Sequence, residues 1–504
     1  MRFINLLFFA AVFIAPAPIV LATLGDIRFV WLNYGIWLST VASAVLFLNY
    51  YLLYRRGRKI DYPLVAETPK GRVAVFVPTF NEEPQMVIDT LRSIKAALKD
   101  RGDIYLLDDS TKPEIISVLK SFCLQTGIKY IHREDRRGFK AGALNHGLSL
   151  LDDRYELLAI FDVDQRPLEG FFEEALAHFQ DPKVAFVQIP QLYSETRSEI
   201  AKAARYQQEP FLRNIMRGRA FRSAFFLGSG AVFRVKVLKE VGGFVEDVIT
   251  EDVATSIKIH ERGYISLYVD APLIWHGEVP LDVTAYHIQQ NRWAFGYYQC
   301  LGPILKSRLS FSQFFDYFAG YLYWLKKGPL TLFELLAPVA FLLLGAMFIV
   351  MDPLLYALAY GSYMVTSILL FISSVRHTNY GVVGFIYHQA VEYIAFPAIF
   401  SAFLACLLRR KKPFKVTPKK GWKRTLKPIL PHLLILIFLI LSAATGIYKL
   451  LYFETDPNAV GAIIVNVFWA LYHAFFIAVG VAMALAPIKD EEPLSAVSNR
   501  ISEY

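Results

Sequence analysis

The sequence predicts an α/β domain with a doubly wound sheet, set between α-helical membrane segments. Three observations carry this. Of 504 residues, 55% are hydrophobic and only 19% are charged, with a mean hydropathy of +0.36. An average soluble domain carries about 25% charged residues, so part of this chain has no need of a water-facing surface. Apolar runs long enough to span a bilayer as helix, about 20 residues, gather before residue 60 and after residue 329. Between them, short β-rich runs alternate with helical stretches, as in strand–helix–strand units.

Residues 1–59 read as a transmembrane hairpin. Ile4–Leu24 and Val30–Leu53 are both apolar; the first is too long for a signal peptide and a second span follows at once. The flank Arg55, Arg56, Arg58 and Lys59 then puts the next region in the cytoplasm. Residues 60–300 form the soluble domain. Val73–Val77, Ile104–Leu107, Lys129–His132 and Leu157–Phe161 read as strands, and Met86–Leu98, Pro113–Leu124 and Ala141–Leu150 as helices. Ligands of such sheets sit beyond the carboxyl ends of the strands. Three ends here are polar or acidic: PTFNEE at 78–83, DDS at 108–110 and DVDQ at 162–165. The sequence has no GxGxxG or Walker loop, so it supports neither a dinucleotide site nor a P-loop.

In 301–328, Phe311, Phe314, Phe315, Phe318 and Leu322 recur at helical spacing, with Tyr321 and Trp324 nearby. This predicts aromatic amphipathic helices at the membrane surface. Residues 329–375 supply two further spans, Leu330–Val350 and Leu354–Val375. Gln389–Leu408 is also apolar, but it carries His388, Gln389 and Glu392 at its start, which are costly in lipid. A crossing there would also place the next segment outside. That segment, Arg409 to Arg424, reads RRKKPFKVTPKKGWKR and holds nine Lys or Arg and no acid, which the positive-inside rule assigns to the cytoplasm. Residues 376–408 are therefore read as an interfacial or re-entrant helix, and 409–427 as a basic loop. Residues 428–485 form a last hairpin (Ile429–Leu451, Ala459–Ala484), and 486–504 a cytoplasmic tail. The outcome is a six-span, multi-pass protein of the plasma membrane with its soluble domain in the cytoplasm.

The net charge of +9 equals the charge of that one basic stretch, so the remainder is formally neutral. No nucleic-acid-binding face is expected; a basic run between apolar segments faces membrane lipid. The 40 Phe, 28 Tyr and 7 Trp exclude disorder. Cys123, Cys300 and Cys406 are scattered and odd in number, which excludes a disulfide scaffold or a thiolate zinc cluster. A transporter without chemistry would carry ionisable residues within its spans. The acids gather in the soluble domain instead, which favours an enzyme.

Asp162 and Asp164 follow an apolar strand, and their i, i+2 spacing sends both carboxylates the same way. Two hard oxygen ligands there suit Mg²⁺ or Mn²⁺ bridging a diphosphate. Asp108 and Asp109 end another strand and either bind a base or ribose, or make a turn with Ser110. Thr250-Glu251-Asp252 opens a helical run, either as a cap favoured by the helix dipole or as the source of a general base. Gln289-x-x-Arg292-Trp293 offers a guanidinium for a departing diphosphate and an indole for a sugar face, or packs at the membrane interface. Lys140, in RRGFKAGALNHG, either meets phosphate or is an ordinary helix lysine.

Taken in order, VPTFNEE, DDS, KAGALN, DVD, FFLGSG, TED and QQNRW resemble the processive branch of glycosyltransferase family 2, the branch of the bacterial cellulose synthases. The resemblance covers about residues 70–300. It extends into the basic loop, where Phe414-Lys415-Val416-Thr417-Pro418-Lys419 matches that branch's FxVTxK gating loop. It implies a GT-A fold, the Rossmann-like α/β form, here inserted into a transmembrane bundle. It further implies inversion at the anomeric carbon and Mg²⁺ or Mn²⁺. The partners implied are a UDP-sugar donor, a growing polysaccharide acceptor and membrane lipid, with room for an accessory export subunit. By position, Asp108, Asp109, Lys140, Asp162 and Arg292 would bind the UDP donor, and Asp162 and Asp164 the metal. Asp252 would be the base, with Glu251 and Asp164 beside it in catalysis. Phe225, Gly228, Ser229, Gln289 and Trp293 would hold the acceptor, and Phe414, Val416, Thr417 and Lys419 the gate. Leu227 stands where the branch has Cys, two N-terminal spans stand where four are usual, and no PilZ segment is expected to impose cyclic di-GMP control. The predicted product is a β-glucan such as cellulose, made from UDP-glucose and exported as it grows. The alternative is transfer of one sugar to a lipid acceptor.

Overall fold

A run such as Val73–Val77, with no polar residue on either face, is stable as a strand only where helices cover both sides of the sheet. The computed structural model, which describes residues 23–62, 71–410 and 427–489 apart from 195, 278, 377 and 379, buries all five of these residues completely. In chain order, helix α1 (Val30–Gly57) leads to β1 (Arg72–Thr79), α2 (Pro84–Leu98), β2 (Gly102–Asp108), α3 (Pro113–Thr126), β3 (Lys129–His132), α4 (Phe139–Ser149) and β4 (Tyr155–Ile160). There follow β5 (Gln165–Pro167), α5 (Phe171–Leu176), β6 (Val184–Gln188), α6 (Glu199–Pro210), β7 (Ala231–Arg234), α7 (Val235–Glu240), α8 (Glu251–Glu261), β8 (Ile265–Tyr268), β9 (Ile274–His276) and α9 (Val283–Gln299).

The main sheet has seven strands in the order β3-β2-β1-β4-β7-β6-β8. Strands β1 to β4 pair in parallel, as the alternation of strands and helices predicts, and β6 pairs with β8 in parallel. Strand β7 is antiparallel to both β4 and β6, so the sheet is mixed. One core layer collects Val73, Val75, Val77, Leu106, Leu157 and Ala159; the other collects Ala74, Phe76, Leu107, Leu158 and Ile160. This is the period-2 alternation of a strand, with both faces apolar.

The chain then continues through α10 (Leu301–Lys306), α11 (Phe311–Leu325), α12 (Thr331–Leu344), α13 (Pro353–Val375), α14 (Gly381–Leu407), α15 (Leu430–Tyr452) and α16 (Pro457–Leu485). Among the described residues, six helices are long and apolar enough to cross a membrane: 27–57, 311–344, 353–375, 381–407, 427–452 and 457–485. Ile4–Leu24 falls almost wholly outside the described residues, as do the gating-loop residues Phe414, Val416, Thr417 and Lys419.

Helices α11 and α12 are one continuous rod joined by a π-helical turn, Lys326–Leu330. Pro329 has no N–H to give, and the Trp324 carbonyl is taken instead by the Tyr298 hydroxyl at 2.9 Å, while the Thr331 hydroxyl donates to Lys326 O at 2.7 Å. Adjacent lysines in this wide turn reach different helices: Lys326 pairs with Glu334 at 2.5 Å, and Lys327 pairs with Glu392 of α14. Pro397 likewise leaves the Tyr393 carbonyl without a donor in α14, and His432 Nε2 lies 3.2 Å from it. His287 Nε2 and Asn291 Nδ2, both on α9, lie 2.7 Å from the Ile394 and Ala398 carbonyls. Side chains of the last soluble helix are thereby fastened to the backbone of a membrane-type helix.

Candidate active site

The site forms where β1, β2 and β4 end. The PTFNEE and DDS loops are tied together there: Asn81, at φ 52°, receives Thr111 N on its Oδ1 at 2.9 Å and gives its own N–H to Ser110 Oγ at 2.8 Å. Asp108 is fully buried. Its Oδ1 accepts from Ser110 N at 2.8 Å and its Oδ2 from the Tyr130 hydroxyl at 2.6 Å. Asp109 receives Arg133 on both oxygens, at 2.8 and 2.6 Å, the strong bidentate form of the pair. In this structure both carboxylates therefore organise the turn and its neighbour β3.

At the end of β4, Asp162 gives its backbone N–H to Ser229 Oγ at 2.8 Å, and its carboxylate receives Lys140 Nζ at 2.5 Å. Lys140 also donates to the Gly228 carbonyl at 2.7 Å. The antiparallel β4–β7 pairing explains the meeting, because Gly230 N bonds Ile160 O at 2.8 Å and so lays FLGSG beside DVD. Gly228 has φ +89°, open to glycine at little cost. A Cβ placed there would lie 3.7 Å from Asp252 Oδ2 and 3.8 Å from Lys140 Nζ. Asp252, Lys140 and, through it, Asp162 thus converge on one glycine.

Glu251 and Asp252 occupy the first turn of α8, and Asp252 Oδ1 accepts from Val253 N at 2.8 Å. Burial, then the charge of Glu251, pushes the Asp252 carboxyl up to about 7, against the pull of Lys140. Burial also raises Glu251 above the ordinary carboxylate range, with Lys140 opposing. Burial pulls the Lys140 ammonium down, but Asp162, Glu251 and Asp252 outweigh it, and it ends above its ordinary value. The cation is held firmly protonated and the neighbouring carboxyl is poised near neutrality.

Helix α9 closes the site because Gly296 permits close approach: a Cβ there would lie 2.5 Å from Thr250 Cγ2. Gln289 on this helix donates to the Tyr193 hydroxyl at 3.0 Å, while its buried Oε1 has no hydrogen-bond partner among the described residues. Arg292 lies close enough to act on Glu251, and Trp293 packs at the edge of the adjoining core. Phe225 is 7% exposed and packs on Phe211 and Tyr317, with the Arg219 guanidinium 5.5 Å from its ring. The Asp164 carbonyl accepts from Gly277 N at 3.2 Å. Gln188 and Gln191, absent from the sequence reading, hold the glycine loop. Gln188 takes Leu227 N on its Oε1 at 2.9 Å and donates to Ser229 O at 2.8 Å, and Gln191 donates to the same carbonyl. Nothing in VQIPQ marks either glutamine for this task.

A mixed seven-stranded sheet with carboxylates at the end of β4, set among membrane-type helices, is a GT-A-like domain in a membrane frame. Residues 157–376 match the family described as Glycosyl transferase family group 2. The chain is 28% identical over 433 residues to the cellulose synthase catalytic subunit [UDP-forming] of Pseudomonas fluorescens (strain SBW25), covering 82% of this chain and 56% of that one. It is 27% identical to the cellulose synthase 1 catalytic subunit [UDP-forming] of Komagataeibacter xylinus, covering 91% of this chain and 62% of that one. The chain therefore spans little more than half the length of these relatives. Among solved structures, the mannosyltransferase PcManGT from Pyrobaculum calidifontis, in complex with GDP-Man and Mn²⁺, shares the fold. Its TM-score is 0.51 at 18% identity, covering 75% of this chain and 99% of that one.

Proposed function

We propose that this protein is a membrane-embedded, inverting, processive glycosyltransferase that polymerises a UDP-sugar, UDP-glucose, into a β-glucan and passes it across the plasma membrane. The observation that carries this is the meeting of Lys140, Asp162 and Asp252 around Gly228, beside a helix that is fastened to α14. Similarity to UDP-forming cellulose synthase subunits over more than four-fifths of the chain supports the donor and the product.

In this reading the Asp252 carboxylate removes the proton from an acceptor hydroxyl. The oxygen forms a bond to the anomeric carbon as the bond from that carbon to the diphosphate breaks, and UDP departs with the electron pair. Lys140 and Arg292 offset the charge that develops on UDP. Asp108, Asp109 and the loop they organise receive the nucleotide, and Phe225, Gly228, Ser229, Gln289 and Trp293 border the acceptor. Asp162 and Asp164 suit a divalent cation: both are hard oxygen donors and the Asp162 side chain is 35% exposed. Among the described residues no group of three His, Cys, Asp or Glu side chains could hold the ion alone, so diphosphate or water would complete its shell. When bound, Mg²⁺ or Mn²⁺ supplies positive charge against the leaving diphosphate.

The same reading keeps the soluble domain in the cytoplasm, takes 376–408 as interfacial or re-entrant, makes 409–427 a gate over the donor, and leaves room for an export subunit. Sealed inside-out vesicles given labelled UDP-sugars test it. Long, linkage-defined chains from UDP-glucose, protected from added glycanase inside the vesicle, are expected. Single-sugar products soluble in organic solvent would replace this reading with transfer to a lipid acceptor.

A further inference from the structure

Asp316, in the second turn of α11, is 1% exposed, and a carboxylate so buried must be paired and hydrogen-bonded to be tolerated. Arg222 meets its Oδ2 through two nitrogens, at 2.6 and 2.8 Å, and the Ser223 hydroxyl donates to the same oxygen. Asn49 of α1 donates to Oδ1 at 3.3 Å, and Arg219 donates to the Asp316 backbone carbonyl at 2.6 Å. Arg219, Arg222 and Ser223 belong to the segment that runs directly into Phe225–Ser229.

The next residue grips the other side of that segment. The Tyr317 hydroxyl lies 2.7 Å from His260 Nδ1, and His260 Nε2 lies 2.8 Å from Ser266 Oγ. The Ser266 hydroxyl donates to the Ala224 carbonyl, and its own carbonyl accepts from Phe221 N at 2.8 Å. Protons therefore run one way, from Tyr317 to His260 Nδ1, from Nε2–H to Ser266, and from Ser266 to Ala224. Asp252, Ser256 and His260 are four residues apart along one face of α8. Ser256 accepts from Phe226 N at 2.9 Å and donates to the Asp252 carbonyl at 2.7 Å.

Well-packed apolar side chains often hold two elements as firmly as a buried ion pair does; here the Asp316 carboxylate also meets directed donors from Arg222, Ser223 and Asn49. We infer that Asp316 is a positioning residue: through Arg219, Arg222 and Ser223 it sets the 219–229 segment, and so Gly228 and Ser229 beside Asp162 and Asp252, in fixed relation to helices α1 and α11. For its effect on turnover, the inference rests on the glycosyl-transfer reading.

The test uses purified full-length protein and Asp316→Asn, which keeps the bond from Arg219 and removes the counter-charge of Arg222. With UDP-glucose as donor, kcat is expected to fall about tenfold or more while KM and calorimetric UDP affinity stay within about twofold, the split of a defect in transition-state placement. Amide hydrogen exchange in 219–229 is expected to quicken about tenfold, with β1 and β2 unchanged. Ser223→Ala, which keeps the ion pair, moves both readouts the same way by less and stands in if Asp316→Asn does not fold. Unchanged exchange in 219–229 overturns the inference. So does unchanged kcat despite faster exchange, or a loss of UDP affinity equal to the loss of turnover. If the wild type transfers sugar from no UDP donor, the reaction reading falls, and the exchange data alone decide whether Asp316 sets the loop.

Discussion

Asp252→Asn keeps the size of the side chain and removes its capacity to take a proton. A positioned base is worth about 10²–10⁴ in rate, so kcat should fall by that factor while UDP affinity holds. The wild type should reveal the same group through pH. A carboxyl at about 7 is half ionised at neutrality and about one-tenth ionised one pH unit lower, so kcat/KM should fall about tenfold per unit below pH 7. An ordinary carboxyl near 3.8 would leave the profile flat from about pH 5.5 to 8. Glu251, Lys140 and the nearby Arg292 and Asp162 share the field in which it titrates. Stability should move oppositely to activity. The folded pKa lies above the unfolded one, so the stability brought by the bound proton is complete below about pH 4 and lost as pH rises through about 7. At about pH 8 the Asn variant, with no charge to bury, should be more stable than the wild type by at most about 4 kcal/mol. Labelled-sugar incorporation across pH and thermal unfolding at pH 8 read the two effects. A flat wild-type profile together with full turnover in Asp252→Asn would refute Asp252 as the base.

Three further outcomes are expected. Asp164→Asn should weaken Mn²⁺-dependent UDP binding and sharply lower turnover, read by calorimetry with and without the metal; unchanged metal dependence would remove Asp164 from the cation site. Gly228→Ala puts a Cβ at φ +89° within reach of Asp252 and Lys140. The strain, roughly 1–2 kcal/mol, should lower the melting temperature slightly while turnover drops about tenfold or more. Thr417→Ala combined with Lys419→Ala should slow polymer synthesis without reducing membrane insertion, as measured by product yield per inserted enzyme; wild-type yield would reduce the 409–427 loop to an anchor.

The parallel half of the sheet was legible because each strand is a continuous apolar run ending in a polar or acidic motif. Tyr155–Ile160 and Gly102–Asp108 lie within a residue or two of where the pattern put them. Strands β6, β7 and β8 escaped the sequence reading, and no local signal says that Ala231–Arg234 inserts antiparallel between β4 and β6. The motifs named Asp162, Lys140, Gly228 and Asp252, and the fold brings them together. What a motif does not reveal is the partner that a side chain meets elsewhere in the chain. Asp109 receives Arg133 on both its oxygens, and Phe225 packs on Phe211 and Tyr317. Asp316, hidden in an aromatic stripe, gave no sign in the sequence of the arginines that meet it.

The π-turn at 326–330 acts as a phase shifter. It adds one residue to a turn of the rod, so the face that carries Asp316 and the face that carries Glu334 are set independently instead of being locked by a 3.6-residue period. Winding 326–330 as regular α-helix at the same residue count would rotate one half against the other by about 100°. Either the salt bridges of Lys326 and Lys327 or the grip of Asp316 on the loop would then be lost. Chimaeras that exchange membrane segments with a related chain should therefore keep the π-turn itself, whatever side chains they change on either side of it.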